Sequence, residues 1–542
     1  MSYELIQNNQ YNIGHICTKQ QCEAGRGKKT AMRWFSPRLE RSDYTFSDLE
    51  GSSNRFANLL KGLGIAKGEV LFTFLPKSTE QIVAFLGSLK VECITGTLFS
   101  NFGEDSLLDR LGDSAARLVV TRKSLYRKIE RIRDQLPALR TIILTDVAAD
   151  LSADVLSWPH LMADASETFA VPVTTADTPS VLHYTSGSTG KPKGVLHRHG
   201  SVLQQSHTAS EVLGLGEDDL FWCTADQGWV TGTSYGIIGP WSLGVTQLHY
   251  SGGYDAGHWL DLLQRERVTV WYTAPTALRM LMREEQELYQ GLDLNHLKQI
   301  FSVGEPLNPE VIIWSRSCLD KEIYDTWFQT ETGAIMIANR PGVPIRPGSM
   351  GTALPGIEPG ILADDGTELP AGSQGNLCLK AGWDSMFITY LNNDSAYRSK
   401  FRDGWYYTGD MAWQDRDGYY WFLGRSDDVI NTSGHLVSPF EVESALLELP
   451  EIAESGVIGV PDELLFEKVI AFVHIDAGIE FTAELELKIR LHIANRLSSV
   501  AIPQEVLQLE RLPKNKSGKI MRRVLKARYL GLDAGDISTL EE

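Results

Sequence analysis

Between Tyr184 and Gly194 the chain reads YTSGSTGKPKG: three glycines, four small hydroxyl residues (Thr185, Ser186, Ser188, Thr189) and two lysines (Lys191, Lys193) within eleven positions. Val181-Leu182 before it and Val195-Leu196 after it are β-prone, which predicts a loop between two strands. Glycine lets backbone approach a ligand closely and adopt left-handed geometry. Successive N–H groups then form a nest for phosphate oxygens, with hydroxyls as further donors and lysine as a point charge. A P-loop needs G-x-x-x-x-G-K-[ST]. Here Gly190-Lys191 is followed by Pro192, and Thr185 stands where the first glycine should be. The stretch is read as a phosphate-holding loop of another kind, since loops fixed by flanking strands commonly carry function.

At 542 residues the chain needs two or more domains. Residues 1–40 are polar and weakly periodic and read as a partly irregular arm. Ser47 and Glu50 make a capping-box pattern for a helix carrying Leu49, Phe56, Leu59, Leu60 and Leu63, with Gly64 as its stop. EVLFTF (69–74), LVVT (118–121), TIILT (141–145) and VTVWYTAP (268–275) read as strands alternating with helical segments. FSVGEP (301–306) and YDTWFQTETG (324–333) end apolar runs in polar turns, the way strand ends of α/β sheets present ligand-binding loops. From Pro341 to Gly375 proline and glycine are dense, predicting a β-rich lobe. The texture changes again near Asp427, after which two helices and two strands predict a small α+β unit. The expected architecture is an α/β domain with a β-rich lobe over residues 1–426 and a mobile α+β lid over 427–542.

A net charge of −18 argues against nucleic acid or an anionic membrane as the main partner. The start shows no basic region followed by an apolar core, and no apolar run reaches a membrane span of roughly 18–20 residues. The six cysteines are scattered, which fits reduced thiols in a cytoplasmic protein.

YTSGSTGKPKG resembles the signature of the adenylate-forming superfamily, and six further stretches extend the likeness: FWCTADQGWVTGTSYG, SVGEPLNPEVI, YDTWFQTETG, WYYTGD, GRSDDVINTSGH and LPKNKSGKIMRR. Together they are most similar to the AMP-forming acetyl-CoA synthetase group. The resemblance implies ATP-dependent activation of a short carboxylate as acyl-AMP, followed by transfer to coenzyme A. The chemical reason is direct. A carboxylate has no usable leaving group, and AMP supplies one. The transition state gathers negative charge, so preorganised positive charge is the main catalytic need.

The resemblance assigns ATP phosphates to Thr185, Ser186, Gly187, Ser188, Thr189, Gly190 and Lys191. It implies that Gly304, Glu305, Pro306, Asp325, Thr326 and Trp327 wall the adenine and that Gln329 lines the nucleotide site. Asp410 and Arg425 would hold the ribose or phosphates, Thr330 the α-phosphate, and Glu331 a Mg²⁺ ion. Lys519 matches the catalytic lysine, Asp427 the hinge and Gly434 the border of the coenzyme A channel. Trp229, Val230, Thr231, Val303 and Phe328 would form the acyl pocket. In acetyl-CoA synthetases a second tryptophan floors that pocket, and medium-chain relatives carry glycine there. Phe328 implies a short acid with relaxed length discrimination, because one methylene is worth only ~1–3 kcal/mol in such a pocket. Acetylation of Lys519, with the enzymes that add and remove it, is a further implied regulation.

Two positions depart from the pattern: Leu436 stands where an arginine is usual, and Phe466 where a glycine is usual. An adenylating enzyme for an aryl or amino acid, and a nucleotide- or acyl-CoA-binding protein without turnover, remain the alternatives. His197 and His199 are read as structural rather than metal-ligating, and Cys223, beside Phe221 and Trp222, as a buried thiol.

Overall fold

Apolar runs too continuous for a half-solvated sheet demand burial on both faces, and parallel strands flanked by helices provide it. In the computed structural model, which describes residues 5–185, 191–433, 435–476, 478–515, 519–535, 537 and 540, every residue of the Val70–Leu75 strand is buried. It pairs in parallel with Ile94–Phe99 on one side and Leu118–Thr121 on the other, inside an eight-stranded sheet. That sheet also holds Pro179–Thr185 and Lys193–Arg198, an antiparallel pair. The predicted strand–loop–strand is therefore present, while Ser186, Gly187, Ser188, Thr189 and Gly190 lie outside the described residues.

A second sheet of fourteen strands joins a parallel half to an antiparallel half. Leu220–Cys223, Val270–Thr273, Gln299–Val303 and Ile323–Trp327 run parallel in neighbouring register. Gly351–Ala353, Gln374–Lys380, Trp405–Gln414 and Tyr419–Arg425 continue it as the β-rich lobe. Trp222, Trp259 and Trp271 sit together in the core beneath the parallel half.

The first forty residues are more ordered than their composition predicts. Thr30–Phe35 is a strand of the large sheet, paired in parallel with Thr246–Tyr250, so its polar flanks conceal an inward face of Ala31, Met32 and Phe35. The first long helix, Phe46–Gly62, is capped by Thr45 and Asp48 rather than by Ser47 and Glu50. Asp48 N–H donates to Thr45 Oγ1 at 3.1 Å, and Thr45 N–H donates to Asp48 Oδ2 at 2.8 Å. Glu50 is instead drawn inward, where Lys90 Nζ lies 2.6 Å from its carboxylate. Gly64 ends the helix as predicted, at φ 71°, with the Ile65 N–H reaching back to the Leu60 carbonyl.

A third sheet belongs to the small C-terminal domain: Ile452–Asp462 and Phe466–Ile475 form its long antiparallel pair, covered by the Pro439–Leu447 and Ala483–Arg496 helices. Its core of Val442, Leu446, Val457, Val469, Ile489 and Ile493 is its own. Polar contacts among the described residues tie it to the large domain. Arg283 Nη1 donates to Asp476 at 2.9 Å, Arg283 Nη2 to the Ile452 carbonyl at 2.8 Å, and Asn308 Nδ2 to Ser444 Oγ at 2.8 Å.

Candidate active site

The C-terminal ends of the parallel strands deliver the loops that the sequence singles out. Register puts Val303 beside Thr326 and Thr273 beside Ser302, so Gly304-Glu305-Pro306, Ala274–Thr276 and Phe328–Glu331 leave one edge together. The antiparallel half brings Asp410 and Arg425 to the same place.

Asp410 is the best-anchored group. Its Oδ1 accepts from Arg425 Nη1 at 2.8 Å, and its Oδ2 accepts from Trp327 Nε1 at 3.0 Å and Gln329 Nε2 at 2.9 Å. The carboxylate beside it raises the Arg425 guanidinium above its ordinary value. Gly409, at φ 79°, turns the strand here, and a Cβ on it would stand 3.3 Å from Arg425 Nη2. Gln329 Oε1 in turn accepts from Tyr406 OH at 3.0 Å.

Glu331 accepts from Tyr390 OH at 2.8 Å, and Lys193 Nζ stands 5.4 Å from the centre of the Tyr390 ring. Burial lowers the Lys400 ammonium, with Glu331 the leading opposing influence. The Thr330 carbonyl accepts from His197 Nε2 at 2.7 Å. Tyr390, Lys400 and His197 are site residues that the sequence reading missed. No pattern in ITYLNN or YRSK marks the first two, whereas His197 is visible in the sequence without its partner.

Asp325 and Thr326 reach the edge by backbone alone. Ser302 Oγ donates to Asp325 Oδ1 at 2.7 Å, and Thr326 Oγ1 donates to the Ser302 carbonyl at 2.7 Å. Burial pushes the Asp325 carboxyl up to about 7. The Glu305 carboxylate is likewise engaged, accepting from Thr276 Oγ1 at 2.9 Å and Arg279 Nη2 at 2.6 Å, while Gly304 at φ 90° faces open space.

Phe328 lies edge-on to Tyr235, with ring centres 5.5 Å apart. Tyr235 is fixed by Thr208 Oγ1 at 2.7 Å and by the Ile335 N–H at 2.8 Å. Val303 packs in the same cluster, and Val230 and Thr231 open the buried helical run that carries Tyr235. Trp229, at the N-cap of that run, packs on Phe99 with ring centres 4.9 Å apart. Val303 and Phe328 thus share one cluster, while Trp229 belongs to the neighbouring cluster around Phe99.

Lys519 enters from the small domain into an open cleft also lined by Thr276, Glu305, Pro306 and Arg522. Its backbone is pinned to Asn515, whose Oδ1 accepts the Lys519 N–H at 2.9 Å. Burial lowers its ammonium, with Arg425 and Arg522 adding to the effect against Glu305 and Asp428. Asp427 is exposed in the turn after Arg425, where the Asp428 and Val429 N–H groups both donate to the Arg425 carbonyl at 2.9 Å.

Lys191 stands apart. It pairs with Asp109 at 3.1 Å on the surface, and Gly434 lies outside the described residues. Leu436 is exposed on the His435–Val437 strand, and Phe466 takes φ 73°, the left-handed backbone that glycine adopts without strain. Cys223 is buried and its thiol is pushed up to about 11. His197 and His199 are buried, and among the described residues no group of three or more His, Cys, Asp or Glu side chains could hold a metal ion. No described helix is long and apolar enough to cross a membrane.

Strand-end loops, an Asp–Arg pair across two strands and a lysine brought in by a second domain define a class of nucleotide-handling enzyme. The chain belongs to the AMP-binding enzyme family: residues 19–391 match that family, and residues 441–519 match the AMP-binding enzyme C-terminal domain. Among its relatives, an acetyl-coenzyme A synthetase of Bacillus subtilis (strain 168) is 44% identical over 98% of this chain and 93% of its own. One of Methanothrix thermoacetophila is 36% identical over 98% of this chain and 84% of its own. The crystal structure of the anthranilate CoA ligase AuaEII in complex with anthranoyl-AMP superposes with a TM-score of 0.89 at 30% identity, covering 97% of this chain and 98% of that one. A Brucella canis acyl-CoA synthetase gives 0.76 at 32% identity, covering 98% and 97%. The fold is that of the adenylate-forming enzymes, a large α/β domain followed by a smaller one.

Proposed function

We propose that the chain is an AMP-forming acyl-CoA synthetase acting on acetate or another short carboxylate. The observation that carries this reading is Lys519, held in a cleft with Glu305 and Pro306 and in the field of Arg425, whose partner is Asp410. In the first step a carboxylate oxygen bonds the α-phosphorus of ATP, the bond to the β-phosphate oxygen breaks, and pyrophosphate leaves. Asp410 anchors the ribose, Thr330 and Lys519 meet the α-phosphate, and the loop Thr185–Lys191 embraces the outer phosphates. In the second step the coenzyme A sulfur attacks the acyl carbon, losing its proton, and AMP departs with the bonding electrons. Rotation of residues 427–542 about Asp427 separates the two steps, with Gly434 beside the thiol's channel.

Glu331 fits a Mg²⁺ site. Its carboxylate accepts from Tyr390 at 2.8 Å. Magnesium is held by one or two carboxylates together with substrate phosphates, and when bound it would neutralise phosphate charge. Val303, Val230, Thr231, Trp229 and the Tyr235-braced Phe328 bound the acid slot, and the ring of Phe328 favours two to four carbons. Because thioester formation and ATP cleavage nearly offset one another, the reaction runs in both directions. The unpaired cysteines fit a reducing cytoplasm. Acetylation of Lys519 would silence the first step by removing its charge.

The test is carboxylate-dependent exchange of labelled pyrophosphate into ATP across acetate, propionate, butyrate, benzoate and amino acids. Acetate or propionate should support exchange best. Exchange with benzoate alone would move the chain to the aryl ligases, and none with any acid would remove the synthetase reading.

A further inference from the structure

Beside Val230, Thr233 and Ser234 lies a small cavity that no part of the mechanism uses. Ser180, His183, His197, Ser201 and Gln205 line it, and each is more than nine-tenths buried. The centre of a water molecule has about 10 Å³ to move in, close to what one ordered water requires. The Oγ atoms of Ser180 and Ser201, Oε1 of Gln205 and the Nδ1 atoms of His183 and His197 find no protein partner with hydrogen-bonding geometry. Buried polar atoms left unpaired cost about 1–3 kcal/mol each, so five around one hole call for a ligand.

The tautomer of His197 says which ligand. His197 Nε2 faces the Thr330 carbonyl at 2.7 Å and must carry the hydrogen, leaving Nδ1 as an acceptor. His183 Nε2 lies 2.9 Å from Thr233 Oγ1, and the Gly228 carbonyl stands beside the same ring. Burial keeps both rings neutral. His197 Nδ1 and the Gln205 amide oxygen as acceptors, with two serine hydroxyls free to donate, make a set of four that a water, with two hydrogens and two lone pairs, satisfies. A cation would meet only some of these atoms, and an apolar ligand none.

We infer that this cavity is a structural water site, and that its water ties the Thr330–Gly333 turn to the helical wall of the acid slot. The same residues reach both. His197 holds the Thr330 carbonyl, Gln205 Nε2 donates to the Gly333 carbonyl at 3.2 Å, and Ser234 Oγ donates to it at 2.9 Å. His183 holds Thr233 on the wall. Ser180, Ser201, His183 and His197 are positioning residues, and the consequence for catalysis rests on the function proposed above.

The test pairs a crystal structure of the full chain, at a resolution that shows water, with kinetics of the Ser180→Ala, Ser201→Ala double variant. The expected density is one ordered water within hydrogen-bonding distance of His197 Nδ1 and Gln205 Oε1. In the double variant that water is lost or displaced. The rate constant for pyrophosphate exchange then falls about fivefold, while the KM for ATP, set at Asp410, stays put; a general loss of stability would move both. A dry cavity in the parent chain overturns the inference. So does a hydrated cavity whose serines can be removed with no change in the rate constant. Absence of exchange in the parent chain would count against the proposed function instead, and the density alone would then decide the water site.

Discussion

Asp410 and Arg425 face one another across adjacent antiparallel strands, in register, with Nη1 2.8 Å from Oδ1. Trp327 and Gln329 grip the second carboxylate oxygen, and under the proposed function the Asp410–Arg425 pair sets where the nucleotide's sugar lies. Asp410→Asn keeps the shape and removes the charge. The KM for ATP should rise by about tenfold to a hundredfold, the loss of one charge-assisted hydrogen bond of about 1.5–3 kcal/mol. Isothermal titration with AMP reads the same loss without turnover. Unchanged AMP affinity would place the nucleotide elsewhere.

Asp325 gives a pH-dependent stability with a definite sign. Its carboxyl titrates near 7 in the folded chain because burial disfavours the charge, against an ordinary 3.8 when unfolded. A raised folded value means that the folded chain binds the proton more tightly. The contribution is therefore fully present below the unfolded value and is lost as pH rises through the folded one. Asp325→Asn keeps an acceptor for Ser302 and cannot ionise. Relative to the parent it should gain about 2–3 kcal/mol between pH 5 and pH 8. Melting curves of both chains at the two pH values check this. A constant difference would mean that Asp325 does not titrate there.

Phe328 should set acid length. Phe328→Gly empties the space in front of Tyr235, and each methylene that fills it is worth about 1–3 kcal/mol. The ratio of kcat/KM for hexanoate over acetate should rise by about tenfold or more, and Phe328→Trp should move it the other way. A substrate panel that keeps its order in both variants would put the acid in a different slot.

Arg283 bridges the domains through Asp476 and the Ile452 carbonyl, in the arrangement that also brings Lys519 to the cleft. The pair is half exposed and contributes modestly. Arg283→Ala should slow acyl-AMP formation by about threefold, the scale of an exposed ion pair, and leave thioester formation from supplied acyl-AMP unchanged or faster. Equal slowing of both would show that Arg283 acts on folding rather than on domain orientation.

The sequence makes some of this legible and hides the rest for physical reasons. Asp410 and Lys519 sit in short motifs, and the structure brings Asp410 against Arg425 and places Lys519 in the cleft with Glu305. Gly64 is readable because a left-handed turn admits few residues. The strand Thr30–Phe35 is hidden because only its contact with Thr246–Tyr250, far along the chain, makes its inner face apolar surface to bury. The capping pairs Thr45–Asp48 and Ser47–Glu50 overlap in sequence, and Lys90 decides between them by drawing Glu50 into the core. Tyr390 and Lys400 meet Glu331 only through tertiary structure. Lys191 pairs with Asp109, a partner far away in sequence that no local pattern announces. Phe466 keeps a backbone made for glycine, which motif comparison marks as a departure and only geometry explains.

The central claim is that one lysine of the small domain serves the first half-reaction and not the second. Lys519→Ala should cut pyrophosphate exchange by about a hundredfold or more, the scale for removing a preorganised charge from a transition state. Coenzyme A transfer from supplied acetyl-AMP should meanwhile proceed at close to the parent rate. A variant in which both half-reactions fall together, or in which exchange survives, would contradict the account.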